Sequence, residues 1–451
     1  MTAACTDVCY VANPTAGLTS VPGWLLCGGL TLLIGLVFLT DEHRWDRSGL
    51  TDYVESAEER AGAATSGNTL RRLAFLSLGG CGTLLLLSGG GLPVLREPLG
   101  LSLLLAAAWT FASFLWADSA TFTLKRLLLL ILCSGGILGI ASVLSVRQLA
   151  IVTLLVTSGY LAMGVFAEVT QGNFRPWAGG YRFAGTLHPN AQATNCGALA
   201  LAAFAVWRGP ADSVSAAATS RRQNARHLAG LMIVLALVFL LLTKSRTAIA
   251  AVVLVLSLVW ATRQTAGINL LVAGCGLLSV TLLSSVLLIG GTDGVSDSAS
   301  LGRADSQGAL NGRLPIWEIC LGRMGAKLPI GFGYDGFWTP QRIEDVSWEL
   351  GWSISSAHSE YIEIMLGLGI VGLCLYLLTQ SLGIAWFWLR YFRLGHGGDA
   401  LVLGLLLIGA IQGFMETSYL HPSSFAPFIC LTAMVRLACF SDHRLMWKEA
   451  V

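Results

Sequence analysis

Residues 228–243 read LAGLMIVLALVFLLLT, and after the polar break Lys244-Ser245-Arg246 a second run, TAIAAVVLVLSLVWAT, fills 247–262. Neither run carries a charged side chain, and neither alternates polar with apolar residues. In hydrocarbon only helices or closed barrels satisfy the backbone, and a barrel strand would show the period-two pattern that is missing here. Continuous Leu-rich runs therefore specify membrane-spanning helices. The same texture extends over the chain of 451 residues, with 54% hydrophobic and 12% charged side chains and a mean hydropathy of +0.68. These values lie outside the range of soluble domains. The expected fold class is all-α, a polytopic integral membrane protein.

Working outward, apolar runs are expected to span at about 22–40, 73–92, 98–116, 126–146, 148–167, 190–207, 228–243, 247–262, 268–290, 360–380, 398–416 and 423–440. That makes about 12 transmembrane helices, both termini on one side, and one large extracytoplasmic loop, 291–357. Residues 1–72 form an N-terminal helix and polar loop with no evident role, and 73–451 form the membrane domain. The first run lacks a basic lead and a clear cleavage site, so it reads as a retained helix. The eleven cysteines give neither a disulfide nor a zinc pattern. A net charge of +2 is too small to argue for nucleic acid.

Short cytoplasmic loops collect Lys and Arg. The loop 208–227 holds Arg208, Arg221, Arg222 and Arg226, and placing it inside puts Arg263, Arg390 and Arg393 inside and 291–357 outside. Segment 41–72 then also lies outside, although it carries Arg44, Arg47, Arg60, Arg71 and Arg72 beside seven acidic residues. The charge rule and the helix order disagree at that segment.

The polar stretches hold the residues suited to chemistry. Thr243-Lys244-Ser245-Arg246-Thr247-Ala248 lies between two apolar runs, and Arg182-Phe183-Ala184-Gly185-Thr186-Leu187-His188-Pro189-Asn190 lies just before another. In the large loop, Arg313 precedes Trp317, and Ser356-Ala357-His358-Ser359-Glu360 leads into a helix. Nine residues separate Ser359 from Gly369, with Gly372 one turn further. Imidazole takes a proton near neutral pH, so His358 is the candidate base, although a lone His at a helix start also reads as a cap. Arg246 suits phosphate through its planar, permanently charged fork, but a single Arg at a membrane boundary also reads as snorkelling. Glu360 and Glu363 fit a helix N-terminus electrostatically and could also orient His358 or an acceptor sugar. Asn190 is readable as an N-cap, and His188 as a bystander. The loop aromatics Trp317, Phe332, Tyr334, Phe337, Trp338, Trp348 and Trp352 suit either a membrane interface or a sugar platform. Asp293, Asp297 and Asp305 are too scattered for a metal cluster, so no cofactor and no metal are expected.

Together these stretches resemble the O-antigen ligase and polymerase-like family of bacterial membrane glycosyltransferases. That family's signature is His, then Asn, Ser or Gln, nine residues and Gly-x-x-Gly at the start of a membrane helix. The resemblance covers roughly residues 110 to 440, and Ser359 stands where Asn is commoner. It implies transfer of a glycan from undecaprenyl diphosphate to an acceptor hydroxyl on a lipid, glycan or protein, with inversion, at the outer face of the cytoplasmic membrane. His358 would be the base, and Arg246, Arg313 and Arg182 the donor-diphosphate ligands, with Arg303 and Arg323 as substitutes for Arg313. Ser359, Glu360 and Asn190 would support them, while Gly369 and Gly372 would let helices pack closely. A polysaccharide polymerase, a protein O-oligosaccharyltransferase and, from another class, a lipid-linked sugar flippase are the rival expectations. A flippase would place its polar site near the midplane in repeated halves.

Overall fold

The computed structural model describes residues 22–45, 68–88, 97–209, 216–264, 313–417 and 421–440, with a few isolated positions between 56 and 62. Among the described residues the chain is helical throughout, without strands. The helices are α1 (Gly23–Glu42), α2 (Thr69–Ser88), α3 (Pro98–Ala112, extended by a 3-10 turn, Ser113–Trp116) and α4 (Ala120–Val143). Next come α5 (Val146–Thr170), α6 (Pro189–Arg208), α7 (Ala216–Leu242) and α8 (Arg246–Ala261). After the undescribed stretch follow α9 (Arg313–Gly322), α10 (Pro340–Leu350), α11 (Glu360–Leu394), α12 (Gly397–Gln412) and α13 (Phe425–Phe440).

Seven of these helices are long and apolar enough to cross a membrane, and α8, α12 and α13 are shorter apolar helices. Each expected span outside 268–290 falls on a described helix, whereas 268–290 and the loop residues 291–312 lie outside the described residues. The boundaries differ in places: α4 begins at Ala120, ahead of the expected 126, with Lys125 and Arg126 within its first turns. Long basic stems tolerate that position by reaching toward the interface.

The centre of the bundle is α6, buried along nearly its whole length, with α5, α7, α8 and α12 around it. Its Ala-rich stretch lets those neighbours approach closely, as small residues do where no hydrophobic effect drives helices together. The α2–α4 seam is tighter still. A Cβ on Gly82 would stand 2.3 Å from the Gly135 carbonyl oxygen, and one on Gly139 1.9 Å from that of Gly82. A ring cluster of Phe38, Phe75, Phe425 and Phe428 joins α1, α2 and α13. Ser145 opens α5 with a reciprocal cap, its hydroxyl receiving the Gln148 amide while the Gln148 side chain receives the Ser145 amide.

Residues 313–359, expected as an open polar loop, form a small cap with its own apolar core. Ile316 and Cys320 of α9, Ile343 and Val346 of α10, and Phe332, Phe337 and Trp338 between them are buried together with Leu366. Burial of Phe332, Phe337 and Trp338 makes them core residues and not a sugar platform, whereas Trp348 is 88% exposed. The cap docks on α3 through its main chain: Trp116 Nε1 donates to the Ile330 carbonyl (2.8 Å) and the Tyr334 amide to Ser113 Oγ (2.9 Å), while Trp109 Nε1 ties α3 to the Leu368 carbonyl of α11 (2.9 Å). Asp118 binds Lys327 Nζ and an Arg342 Nη, each at 2.6 Å. Burial works against the Asp118 charge, but these two cations hold its carboxyl below the usual range.

Gly369 breaks α11 instead of serving two facing helices. Its φ of 71° and ψ of −172° are non-helical, and a Cβ there would lie 2.2 Å from the Pro329 carbonyl oxygen. The cap segment 328–332 runs into the break, with the Ile370 amide donating to Leu328 (2.9 Å) and the Phe332 amide to Leu366 (2.8 Å). At Gly372 the atom in the way is Leu368 Cβ of the same helix, 2.2 Å off, so the expected helix-to-helix contact is not what these glycines provide. Gly369→Ala adds left-handed strain of about 1–2 kcal/mol to a main-chain clash. The expected result is loss of most of the monodisperse, detergent-solubilised protein. Gly367→Ala, whose Cβ would meet its nearest neighbour at 3.4 Å, should give wild-type yield.

Candidate active site

Three loops meet at the end of the bundle that bears the cap. The first is folded by Glu168, buried at the end of α5. One of its carboxylate oxygens accepts the Ala184 and Gly185 amides (3.0 and 2.7 Å), and the other accepts the Tyr181 hydroxyl (2.5 Å). Gly185 has a φ of 60° and lies against Gly164, where a side chain would not fit. The Phe183 amide donates to the Leu242 carbonyl (2.8 Å), fixing this loop to the end of α7. Burial and the Glu168 carboxylate push the Tyr181 phenol up, so it acts as a fixed donor.

Arg182 projects from that loop. Its Nε donates to the Thr243 carbonyl (3.0 Å) and one Nη to Asn190 Oδ1 (3.1 Å). Thr243 begins the second loop, where Lys244 takes a φ of 52° and donates from Nζ to the Gly179 carbonyl (2.6 Å). Arg246, half-buried, is the first residue of α8, one turn from the carbonyl that holds Arg182. Asn190 is not the N-cap of α6: His188 is, its Nδ1 accepting the Asn190 amide at 3.3 Å. The Asn190 side chain instead reaches across the bundle, Nδ2 donating to Glu416 Oε1 (2.7 Å).

Glu416 is the hub. The same Oε1 takes an Nη of Arg313 at 3.1 Å, and another Arg313 Nη lies 3.2 Å from Met415 Sδ. Arg182, Asn190, Glu416 and Arg313 thus form one continuous network from four parts of the chain. Burial pushes the Glu416 carboxyl up, against the pull of Arg313, Asn190 and Arg182. A carboxyl so placed is matched to its cations only while they stay near it. Arg323 does not join this network but pairs with the exposed Glu349 (2.7 Å), and Arg303 lies outside the described residues.

The third loop carries His358, half-buried and held at a φ of 48°. Non-Gly residues in this region are uncommon and persist where the surroundings impose them. Before His358, the Ala357 amide donates to Glu363 Oε1 (2.5 Å) and the Ala357 carbonyl accepts Trp317 Nε1 (2.9 Å). Behind it, the Glu360 amide donates to the Gly413 and Glu416 carbonyls (2.8 and 3.2 Å), and Ser359 Oγ to Gly413 (3.4 Å). The backbone of His358 is therefore clamped on both sides, and one clamp is the main chain of Glu416 itself. Glu363, which also accepts Trp338 Nε1 (2.9 Å), supports the histidine loop. The Glu360 carboxylate binds the Tyr376 hydroxyl instead. A second imidazole, His43, contacts Thr186 Oγ1 of the first loop (2.6 Å), but burial lowers it to about 4, which makes it a weak proton acceptor.

Two arginines joined through Asn190 and a buried carboxyl, with a constrained histidine beside them, thus lie at one end of an all-helical bundle that has the composition of a membrane protein. In the comparison with protein families, residues 231–377 match the family model described as O-antigen ligase. The match runs from α7 into α11 and includes Arg246, Arg313, His358, Gly369 and Gly372. It bears out the resemblance to the O-antigen ligase-like family and supports ligase-like glycan transfer, with lipid-linked glycan and acceptor as substrates in general. No curated protein matches the chain. Arg182, Asn190 and Glu416 lie outside the matched residues, and it is the fold that brings them to the matched ones.

Proposed function

We propose that the protein is a glycosyltransferase of the bacterial cytoplasmic membrane. It takes a glycan from undecaprenyl diphosphate at the outer face and transfers it to an acceptor hydroxyl of a lipid or polysaccharide. The observation that carries this reading is the meeting of Asn190, which holds Arg182, and Arg313 on Glu416, whose carbonyl clamps the residue two places from His358. In the reaction the His358 imidazole takes the acceptor's hydroxyl proton as that oxygen attacks the anomeric carbon. The anomeric carbon–oxygen bond to phosphate breaks with inversion, and the lipid diphosphate leaves with the bonding electrons. Arg182, Arg313 and Arg246 neutralise the charge that develops on it. In this reading the arginines take up that charge and no metal is invoked.

Sidedness fits the same picture. At the end opposite the cap, Arg147, Arg208, Arg226, Arg263 and Arg393 supply the cytoplasmic positive charge. At the cap end several cations are ion-paired: Arg71 with Asp41, Arg126 with Asp335, Arg313 with Glu416, and Lys327 and Arg342 with Asp118. Of the arginines of 41–72, Arg71 is neutralised in this way, which supports an outer location for that end of the segment. Deleting the gene in its host and analysing lipid-linked and surface glycans together tests the reaction. Accumulation of long, unattached lipid-linked chains is expected for the ligase. Single lipid-linked repeats would mean a polymerase, and two unchanged pools would overturn the reading.

A further inference from the structure

A second polar chamber lies at the same end of the bundle, built by other helices. It encloses about 290 Å³ between the ends of α1, α2, α4 and α13, and its charged wall is Asp41, Glu42, Arg71, Arg126 and Asp335, with His421 beside them. Its volume is at the lower end of the range of about 300–1,000 Å³ found for small-molecule sites. Ionisable groups set into a membrane bundle are costly, and by default they mark a functional site.

The wall is pre-arranged. Arg71 pairs with Asp41, and Arg126 Nε with Asp335 Oδ2 at 3.1 Å. Glu42 Oε1 accepts the Phe425 amide (2.7 Å), and Tyr334 Oη lies 3.4 Å from His421 Nδ1. Asp335 itself has a φ of 51°, strain at the one aspartate that the cap sends into the chamber. The glycine seam of α2 and α4 fixes the distance between the helices that carry Arg71 and Arg126.

Each guanidinium of the lining is already paired with an aspartate, which leaves no spare positive charge for a phosphate, and the arginine network of the active site suits that group better. Forked donors beside carboxylate acceptors, with the hydroxyls of Ser423 and Ser424 at the rim, match the alternating donors and acceptors of a neutral or amino sugar ring. Tyr334 and Asp335 are shared with a small void that reaches Glu363, the residue that holds the amide next to His358. We infer that this chamber binds a sugar residue of the acceptor and delivers its hydroxyl toward His358. The inference rests on the transferase reading above, and it gives the segment around residues 41–72 a task.

The test uses the full-length protein in nanodiscs, with donor lipid and unglycosylated acceptor both extracted from the gene-deletion strain. Arg126→Gln and, to fill the chamber, Cys133→Phe are each expected to raise the apparent KM for the acceptor fraction at least tenfold, leaving the donor KM within twofold. A rise in the donor KM alone, or no change in either, overturns the inference. A binding measurement independent of turnover accompanies it: Ser424→Cys is labelled with maleimide, the modified site being read by mass spectrometry. The acceptor fraction alone should slow labelling at least threefold, and the purified donor alone should not. Protection by the acceptor with no transfer by the wild type would retain the chamber and reject the transferase reading. Absence of protection rejects the chamber whatever the activity.

Discussion

Replacing His358 by Asn is expected to lower transfer per mole of folded protein by about 10²–10⁴-fold, the range for loss of a general acid–base group. Asn is the informative substitution because it tolerates the left-handed backbone that His358 adopts, with φ at 48°. His358→Ala should be inactive too, and still inserted and abundant, but it mixes lost chemistry with backbone strain. None of the clamps on Ala357 and Glu360 uses the His358 side chain, so they survive either change. Thermal unfolding within a few degrees of wild type, together with the activity loss, is the expected pair of results. Transfer within threefold of wild type in the Asn variant would remove His358 from the mechanism.

The second large effect concerns Arg313. Removing one member of a buried ion pair strands the other charge and typically costs about 3–5 kcal/mol. Side chains of Arg313 and Glu416 are 15% and 16% exposed, so the pair is close to that situation. Arg313→Ala is therefore expected to lower the unfolding temperature and to abolish transfer. Adding Glu416→Gln removes the stranded carboxylate while its amide oxygen can still accept from Asn190. The double variant should regain most of the thermal stability, with transfer staying at least a hundredfold down because the phosphate-binding fork is missing. Recovery of transfer along with stability would reduce Arg313 to a structural role.

The membrane architecture was legible because it depends on composition and run length, properties that each segment carries by itself. The cap was not. Its core of Ile316, Phe337, Ile343 and Val346 is spread over short helices separated by turns, and no window there shows a long period. Gly369 was legible as a residue that had to be small, but not as a backbone break, since it packs against a turn segment about forty residues earlier in the chain. In the site, Arg182, Asn190 and Arg313 were found as types suited to their chemistry, and the fold joins them. Glu416 was missed because it closes an apolar run, where it read as the edge of a span. An acidic residue at that edge is itself a signal, since a carboxyl there needs cations that sequence distance conceals. Glu363 and Glu360 could not be told apart without knowing which one faces Ala357 and which faces Tyr376.

The most direct measurement is a transfer assay with the purified protein in nanodiscs, supplied with lipid-diphosphate-linked glycan and acceptor from the deletion strain. Free lipid diphosphate and acceptor-attached glycan are quantified over time. The account requires the two products to appear in equal amounts with wild-type protein and neither to appear with His358→Asn. Movement of intact donor across the bilayer without cleavage of the sugar–phosphate bond would contradict it and identify a carrier instead.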